Sequence, residues 1–138
     1  MRTRFLWLIV VVLSFSGCAG LQKSNPAPAP KADWGSVGGQ VRYADSKRTF
    51  IADVAIRTGQ NSREYSMEVT KSGVLLLKLD RAASLAWATG PLAHWPFSGS
   101  VEKAPAHLEK WFAATTVALE GKAPPTSNAS GIQFRLQR

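Results

Sequence analysis

The sequence predicts an α+β domain in which one amphipathic helix covers an antiparallel β-sheet. Several short segments alternate apolar and polar residues with a period of two and are separated by turn residues, which is typical of antiparallel strands. One segment near the C-terminus instead repeats its apolar residues at helical spacing. We expect about six to seven strands, the first of them joined by short turns as a meander.

The strand segments share short length and alternating polarity. They are predicted over 37–43, 50–57, 64–70, 74–80, 84–89 and 132–137. Between the fifth and sixth segments, residues 90–103 are expected to be irregular because Pro91 and Pro96 interrupt them. Pro105 suits the first turn of a helix. The helix should bury a stripe that consists of Leu108, Trp111, Phe112, Thr115 and Leu119.

The N-terminus predicts export. Residues 1–17 combine two arginines, the apolar run Phe5 to Leu13 and small residues, which is typical of a signal peptide. Their end, Phe15-Ser16-Gly17-Cys18, resembles the lipobox of bacterial lipoproteins, and that resemblance implies cleavage before Cys18 and lipidation of its sulfur. The alternative is an uncleaved membrane anchor with an incidental cysteine.

Cys18 is the only cysteine, so the chain cannot form an internal disulfide. Residues 18–32 are interpreted as the lipidated cysteine and a Pro/Ala-rich tether, and residues 33–138 as one small β-rich domain. Ala19 stands where Asp commonly signals inner-membrane retention in the lipoprotein family. The resemblance therefore implies a lipid anchor in the outer membrane, with the domain facing the periplasm.

The charge pattern argues against nucleic-acid binding. Without Arg2 and Arg4 the chain keeps 15 basic against 9 acidic residues, a net charge of about +6. These charges are scattered and form no stripe with aromatic residues, which favours a solvated surface or weak attraction to anionic headgroups.

The sequence offers no catalytic residues, no metal ligands and no cofactor motif. His94 and His107 have no Glu or Cys at ligand spacing, and Asp53 and Asp80 are interpreted as ordinary solvated carboxylates. We therefore expect a protein that is not an enzyme.

Large apolar residues are abundant for so small a sheet. They fill either an ordinary core between sheet and helix or the lining of an apolar cavity, and the sequence leaves both open. The cavity candidates are Leu75, Leu77, Trp87, Leu92, Trp95, Phe97, Trp111 and Phe112.

The order of these segments resembles the LolA/LolB-like half-barrels. The resemblance rests on Gly39 to Tyr43, Phe50 to Ile56, Thr58-Gly59-Gln60, Arg63 to Thr70, the Leu-rich strand and Pro105 to Trp111. It implies a curved antiparallel sheet closed by helices over an apolar cavity for lipoprotein acyl chains, here as a reduced half-barrel. The family's protruding apolar hairpin corresponds to Thr70-Lys71-Ser72-Gly73, which has no leucine at its tip.

Two functions are carried forward. The first is a non-enzymatic envelope lipoprotein that binds an apolar ligand, such as acyl chains of lipoproteins in transit to the outer membrane. The second is an envelope accessory protein that docks a protein partner through the apolar loop around Trp95 and Phe97.

Overall fold

A computed structural model describes residues 26–121 and 131–137. The predicted signal peptide and Cys18 lie outside the described residues. Among the described residues, no helix has the length and apolar character needed to cross a membrane. In the described part of the chain the strands are β1 (Gly35–Ala44), β2 (Thr49–Thr58), β3 (Glu64–Lys71), β4 (Val74–Ala82), β5 (Leu85–Thr89), β6 (Phe97–Ser100) and β7 (Ile132–Gln137), and the α-helix is α1 (Ala106–Leu119).

The strands form one open, curved, antiparallel sheet in the order β6-β5-β4-β3-β2-β1-β7. The first six strands follow one another as neighbours, which confirms the predicted meander. The last strand, β7, pairs with the free side of β1, so that Val41 lies opposite Phe134. The α+β class, with one α-helix on an antiparallel sheet, is thereby confirmed.

The alternation read from the sequence sets the two faces of the sheet. Val54 of β2 lies opposite Val69 of β3, and Met67 lies opposite Leu79 of β4. These side chains are at most 4% exposed. Side chains of one strand alternate between the two faces, so the residues that lie between these positions along each strand point to the other face. The sheet therefore has one apolar inner face.

Helix α1 packs over this inner face. Pro105 occupies the cap position before Ala106 and has no N–H to leave unpaired there. The predicted stripe is confirmed at Leu108, Trp111, Phe112 and Thr115, which are all buried. Burying one Leu or Phe side chain contributes roughly 1.5–3 kcal/mol, so these contacts hold the helix on the sheet.

The segment 90–103 is more regular than expected. It contains two 3-10 turns, at Pro91–Ala93 and Val101–Lys103, with strand β6 between them. Phe97 lies opposite Ala88, and Gly99 opposite Ala86. The prediction of irregular structure was wrong here because the strand is only four residues long and consists of Phe, Ser and Gly, which give little strand signal.

Gly90 shows why the chain turns where it does. Its φ is 103°, and a Cβ at this position would lie 2.8 Å from the carbonyl oxygen of Leu76. Only glycine tolerates both the positive φ and the close approach of this oxygen. The turn places the following loop against the start of β4.

Candidate functional site

The predicted cavity residues occupy three different environments. Four of them, Leu77, Leu92, Trp111 and Phe112, are at most 5% exposed and belong to the core between sheet and helix. Trp87 and Phe97 are half-buried, and Phe97 packs against the core. The other two are exposed: Leu75 by 39% and Trp95 by 82%. The structure therefore does not bring the eight together on one surface.

An aromatic cluster fills one end of the core. The ring of Trp111 stacks on Tyr43 with centroids 5.6 Å apart and planes 7° apart. Phe134 meets the same indole edge-on at 6.3 Å, and Phe50 contacts Tyr43 at 5.2 Å. Such contacts contribute about 0.5–1.5 kcal/mol beyond the area they bury.

A small cleft opens at the other end of α1. It has a volume of about 150 Å³ and lies between the ends of β1, β2 and β7 and the last turn of the helix. Val37, Ala118, Leu119 and Leu136 supply its apolar lining, and residues 58–62 its polar rim. None of the predicted cavity residues lines it. Pockets for drug-sized ligands usually have about 300–1,000 Å³, so this cleft is small for a long acyl chain.

A polar cluster lies between sheet and helix near this cleft. An Nη1–H of Arg81 donates to Thr116 Oγ1 at 3.1 Å, and both Thr115 and Thr116 donate to carbonyls of the preceding helical turn. The hydroxyl of Tyr65 is buried beside these groups but makes no hydrogen bond of ordinary geometry with them. Burial raises the pKa of Tyr65, and the nearby positive charge of Arg81 offsets only part of that rise.

The loop 90–96 presents an apolar surface. Trp95 is its most exposed large side chain, and Val74 and Leu75, at the start of β4, are 60% and 39% exposed at the same end of the sheet. We call Trp95, Val74 and Leu75 the apolar tip. Leu75 lies in β4, two residues past the turn Thr70-Lys71-Ser72-Gly73, and the turn itself has no leucine, as the sequence indicated. The register shifts between Val69 and Thr70, which turns Leu75 away from the core.

Asp53 and Asp80 differ in exposure although the sequence suggested the same role for both. Asp53 is exposed, as expected. Asp80 is only 5% exposed, which corrects the interpretation of a solvated carboxylate. It lies between Ser66 and Trp87 on the outer face of the sheet. Burial raises the pKa of Asp80, and a hydrogen bond from Ser66 offsets part of the effect.

The two histidines meet in space, which no sequence spacing indicated. Their ring centroids are 4.7 Å apart. Within residues 26–121 and 131–137, no group of three or more His, Cys, Asp or Glu side chains is arranged to hold a metal ion. The pair was missed because one histidine comes from a loop and the other from the first turn of α1.

Comparison with known proteins finds no matching family model, no matching curated protein and no matching solved structure.

Proposed function

We propose that this chain is a non-enzymatic, lipid-anchored envelope protein that docks a protein partner through its apolar tip. The 82% exposure of Trp95 is the observation that carries this proposal. Tryptophan is the residue type most enriched among side chains that dominate protein–protein binding energy. An exposed tryptophan at the same end of the sheet as two exposed aliphatic residues offers apolar area that a partner would desolvate.

Hydrogen bonds hold the loop that carries Trp95. The amide of Trp95 donates to Ala93 O at 2.8 Å, that of Ala93 to Gly90 O at 3.0 Å, and His107 Nε2 contacts Ala93 O at 3.0 Å. A side chain presented by a braced loop loses little conformational entropy on binding. The loop backbone that carries Trp95 is therefore preorganised for docking.

Site-specific photo-crosslinking in cells tests this function. A photoreactive phenylalanine analogue replaces Trp95 in one strain and Leu85, which is 49% exposed on the outer face, in the matched control. We expect one abundant protein adduct from position 95 and none from position 85. Equal adduct patterns from both positions, or none from either, would refute partner docking at the tip.

Binding of an apolar ligand such as lipoprotein acyl chains, in a reduced LolA/LolB-like half-barrel, is the second candidate. The curved sheet with its apolar face under one helix and the cleft at the end of α1 support it. Because the cleft is small, a long chain would enter only if α1 moved away from the sheet.

Uptake of a fluorescent fatty acid by residues 33–138 separates the two candidates. The acyl-chain function predicts saturable uptake that Ala118→Trp abolishes by filling the cleft, whereas Leu85→Trp leaves it unchanged. Absence of saturable uptake by the unaltered domain would eliminate acyl-chain binding and leave partner docking intact.

A further inference from the structure

The chain contains two histidines, and the fold brings them together. His94 lies in the loop after the Pro91–Ala93 turn and His107 in the first turn of α1, yet their ring centroids are 4.7 Å apart with planes at 67°. We propose that His94 and His107 form a two-imidazole site for a divalent transition-metal ion, with Cu²⁺ as the ion bound most tightly. This site is independent of partner docking by Trp95.

The separation of the rings fits a shared ion. A metal–nitrogen distance of about 2.0 Å places each imidazole centroid roughly 3.2 Å from the metal. Two imidazoles on one ion at angles of about 90–110° then have centroids roughly 4.5–5.2 Å apart. The observed 4.7 Å lies within this range. The fold thus holds the two ring centroids at a separation that a shared ion allows.

His107 has the environment of a metal ligand. Its Nε2 lies 3.0 Å from the carbonyl oxygen of Ala93, and a carbonyl accepts only, so Nε2 carries the proton in this contact. The neutral ring then has its lone pair on Nδ1. Metal-binding histidines almost always give their second N–H to a carbonyl or carboxylate in this way, which fixes the ring and its tautomer.

His94 sits in a strained backbone conformation. Its φ of 63° and ψ of −56° belong to the rare γ-turn with positive φ, closed by the bond from the Trp95 amide to Ala93 O. Glycine or asparagine would relieve such a position, and strained residues cluster at ligand sites. This backbone conformation occurs at the residue whose ring contacts His107.

The site is open to solvent, since His94 is exposed and His107 half-exposed. In the described part of the chain no third His, Cys, Asp or Glu joins them, so water would complete the coordination. Imidazole suits Cu²⁺, Ni²⁺ and Zn²⁺, and Cu²⁺ binds most tightly in this series.

Titration of the full-length chain in detergent with Cu²⁺ tests the proposal, with Cys18→Ser in every sample to remove the thiol. We expect one Cu²⁺ per chain and an electron paramagnetic resonance spectrum with coupling to two imidazole nitrogens. His94→Gln and His107→Gln should each weaken binding at least tenfold, whereas Trp95→Ser, in the same loop, should leave the affinity unchanged.

The spectrum of the unaltered histidine pair decides the outcome even if a variant misfolds. A signal from one imidazole or none, or wild-type affinity in either folded histidine variant, overturns the proposal. Ni²⁺ and Zn²⁺ titrations should follow the same pattern with weaker binding.

Discussion

The two ends of the sheet–helix interface differ in where their polar groups lie. At the Trp111 end, defined by Tyr43, Phe50, Trp111 and Phe134, the interior is aromatic and the hydroxyl of Tyr43 reaches outward to Asp45. At the Arg81 end, defined by Tyr65, Arg81, Thr115 and Thr116, polar groups are enclosed between strand and helix. One helix covers both ends.

The two ends therefore differ in how much they contribute to the stability of the fold. Aromatic burial has a large favourable free energy at the Trp111 end, whereas a buried hydroxyl without a good partner costs about 1–3 kcal/mol at the Arg81 end. The small cleft also opens beside the last turn of the helix. Aromatic contacts thus dominate where the first half of α1 meets the sheet, whereas the bond from Arg81 to Thr116 joins its C-terminal half to β4.

Truncation of Trp111 should lower the free energy of unfolding more than any other change at the two ends. Trp111 is 2% exposed and contacts two aromatic rings, so Trp111→Ala should lower the free energy of unfolding by about 3–5 kcal/mol. Urea denaturation of residues 33–138, followed by circular dichroism, measures this loss. Trp95→Ala should change it by no more than about 0.5 kcal/mol because that side chain is exposed. A loss below about 1 kcal/mol in Trp111→Ala would contradict the assigned role of the Trp111 end.

Removing a tyrosine hydroxyl should have opposite effects at the two ends. Tyr65→Phe deletes a buried hydroxyl that lacks a well-formed hydrogen bond, so it should raise the free energy of unfolding by about 1–2 kcal/mol. Tyr43→Phe deletes the bond to Asp45, 3.0 Å long, and should lower it by about 0.5–1 kcal/mol. Thermal melts of the two variants give the comparison directly. If both changes destabilise equally, the hydroxyl of Tyr65 is better satisfied than its geometry indicates.

Much of the fold followed from the sequence because the alternation is unusually regular. Tyr65, Met67 and Val69 were expected on one face and are all buried. The helix stripe was likewise readable, since Trp111 and Phe112 have no other way to leave water. Strand β6 was not readable, because its pairing with β5 depends on tertiary contacts that Ser98 and Gly99 do not signal.

The candidate site was much harder to predict. Trp95 was named from the sequence, but whether it packs or protrudes depends on the loop that Ala93 and His107 brace. The meeting of His94 and His107 likewise depends on where a loop crosses the start of a helix. The burial of Asp80 depends on its strand partners Ser66 and Trp87. Local pattern contains none of this information.

Near the Arg81 end, Asp80→Asn should change the free energy of unfolding by less than Trp111→Ala or Tyr65→Phe does. Burial raises the pKa of Asp80, so the folded protein binds its proton more tightly than the unfolded chain does. Ionised Asp80 therefore costs stability at neutral pH, and this cost disappears as the pH falls through the raised pKa. At pH 7 we expect Asp80→Asn to raise the free energy of unfolding by about 1 kcal/mol.

The pH dependence is the decisive measurement for Asp80. The gain in Asp80→Asn should shrink steadily in acid and vanish below the pKa of an unfolded aspartate. Melting temperatures of variant and unaltered domain between neutral and acid pH give this curve. A gain that does not change with pH would mean that the amide improves packing and that the charge is not the cause.

Asp45 should show the reverse pH dependence at the Trp111 end, with the smallest effect because it is exposed. The backbone N–H groups of Lys47 and Arg48 donate to its Oδ1 at 2.7 and 2.8 Å. The bond from Lys47 above all lowers the pKa of Asp45, so its charge stabilises the β1–β2 turn above the unfolded pKa. This contribution is lost as the pH falls through the folded pKa.

Asp45→Asn should thus melt at a lower temperature than the unaltered domain at pH 7 and at the same temperature in strong acid. Asp53→Asn, also exposed, is the control. A variant as stable as the unaltered domain at pH 7 would show that the turn keeps its geometry without the charge, and the contrast between the ends would then rest on their buried groups alone.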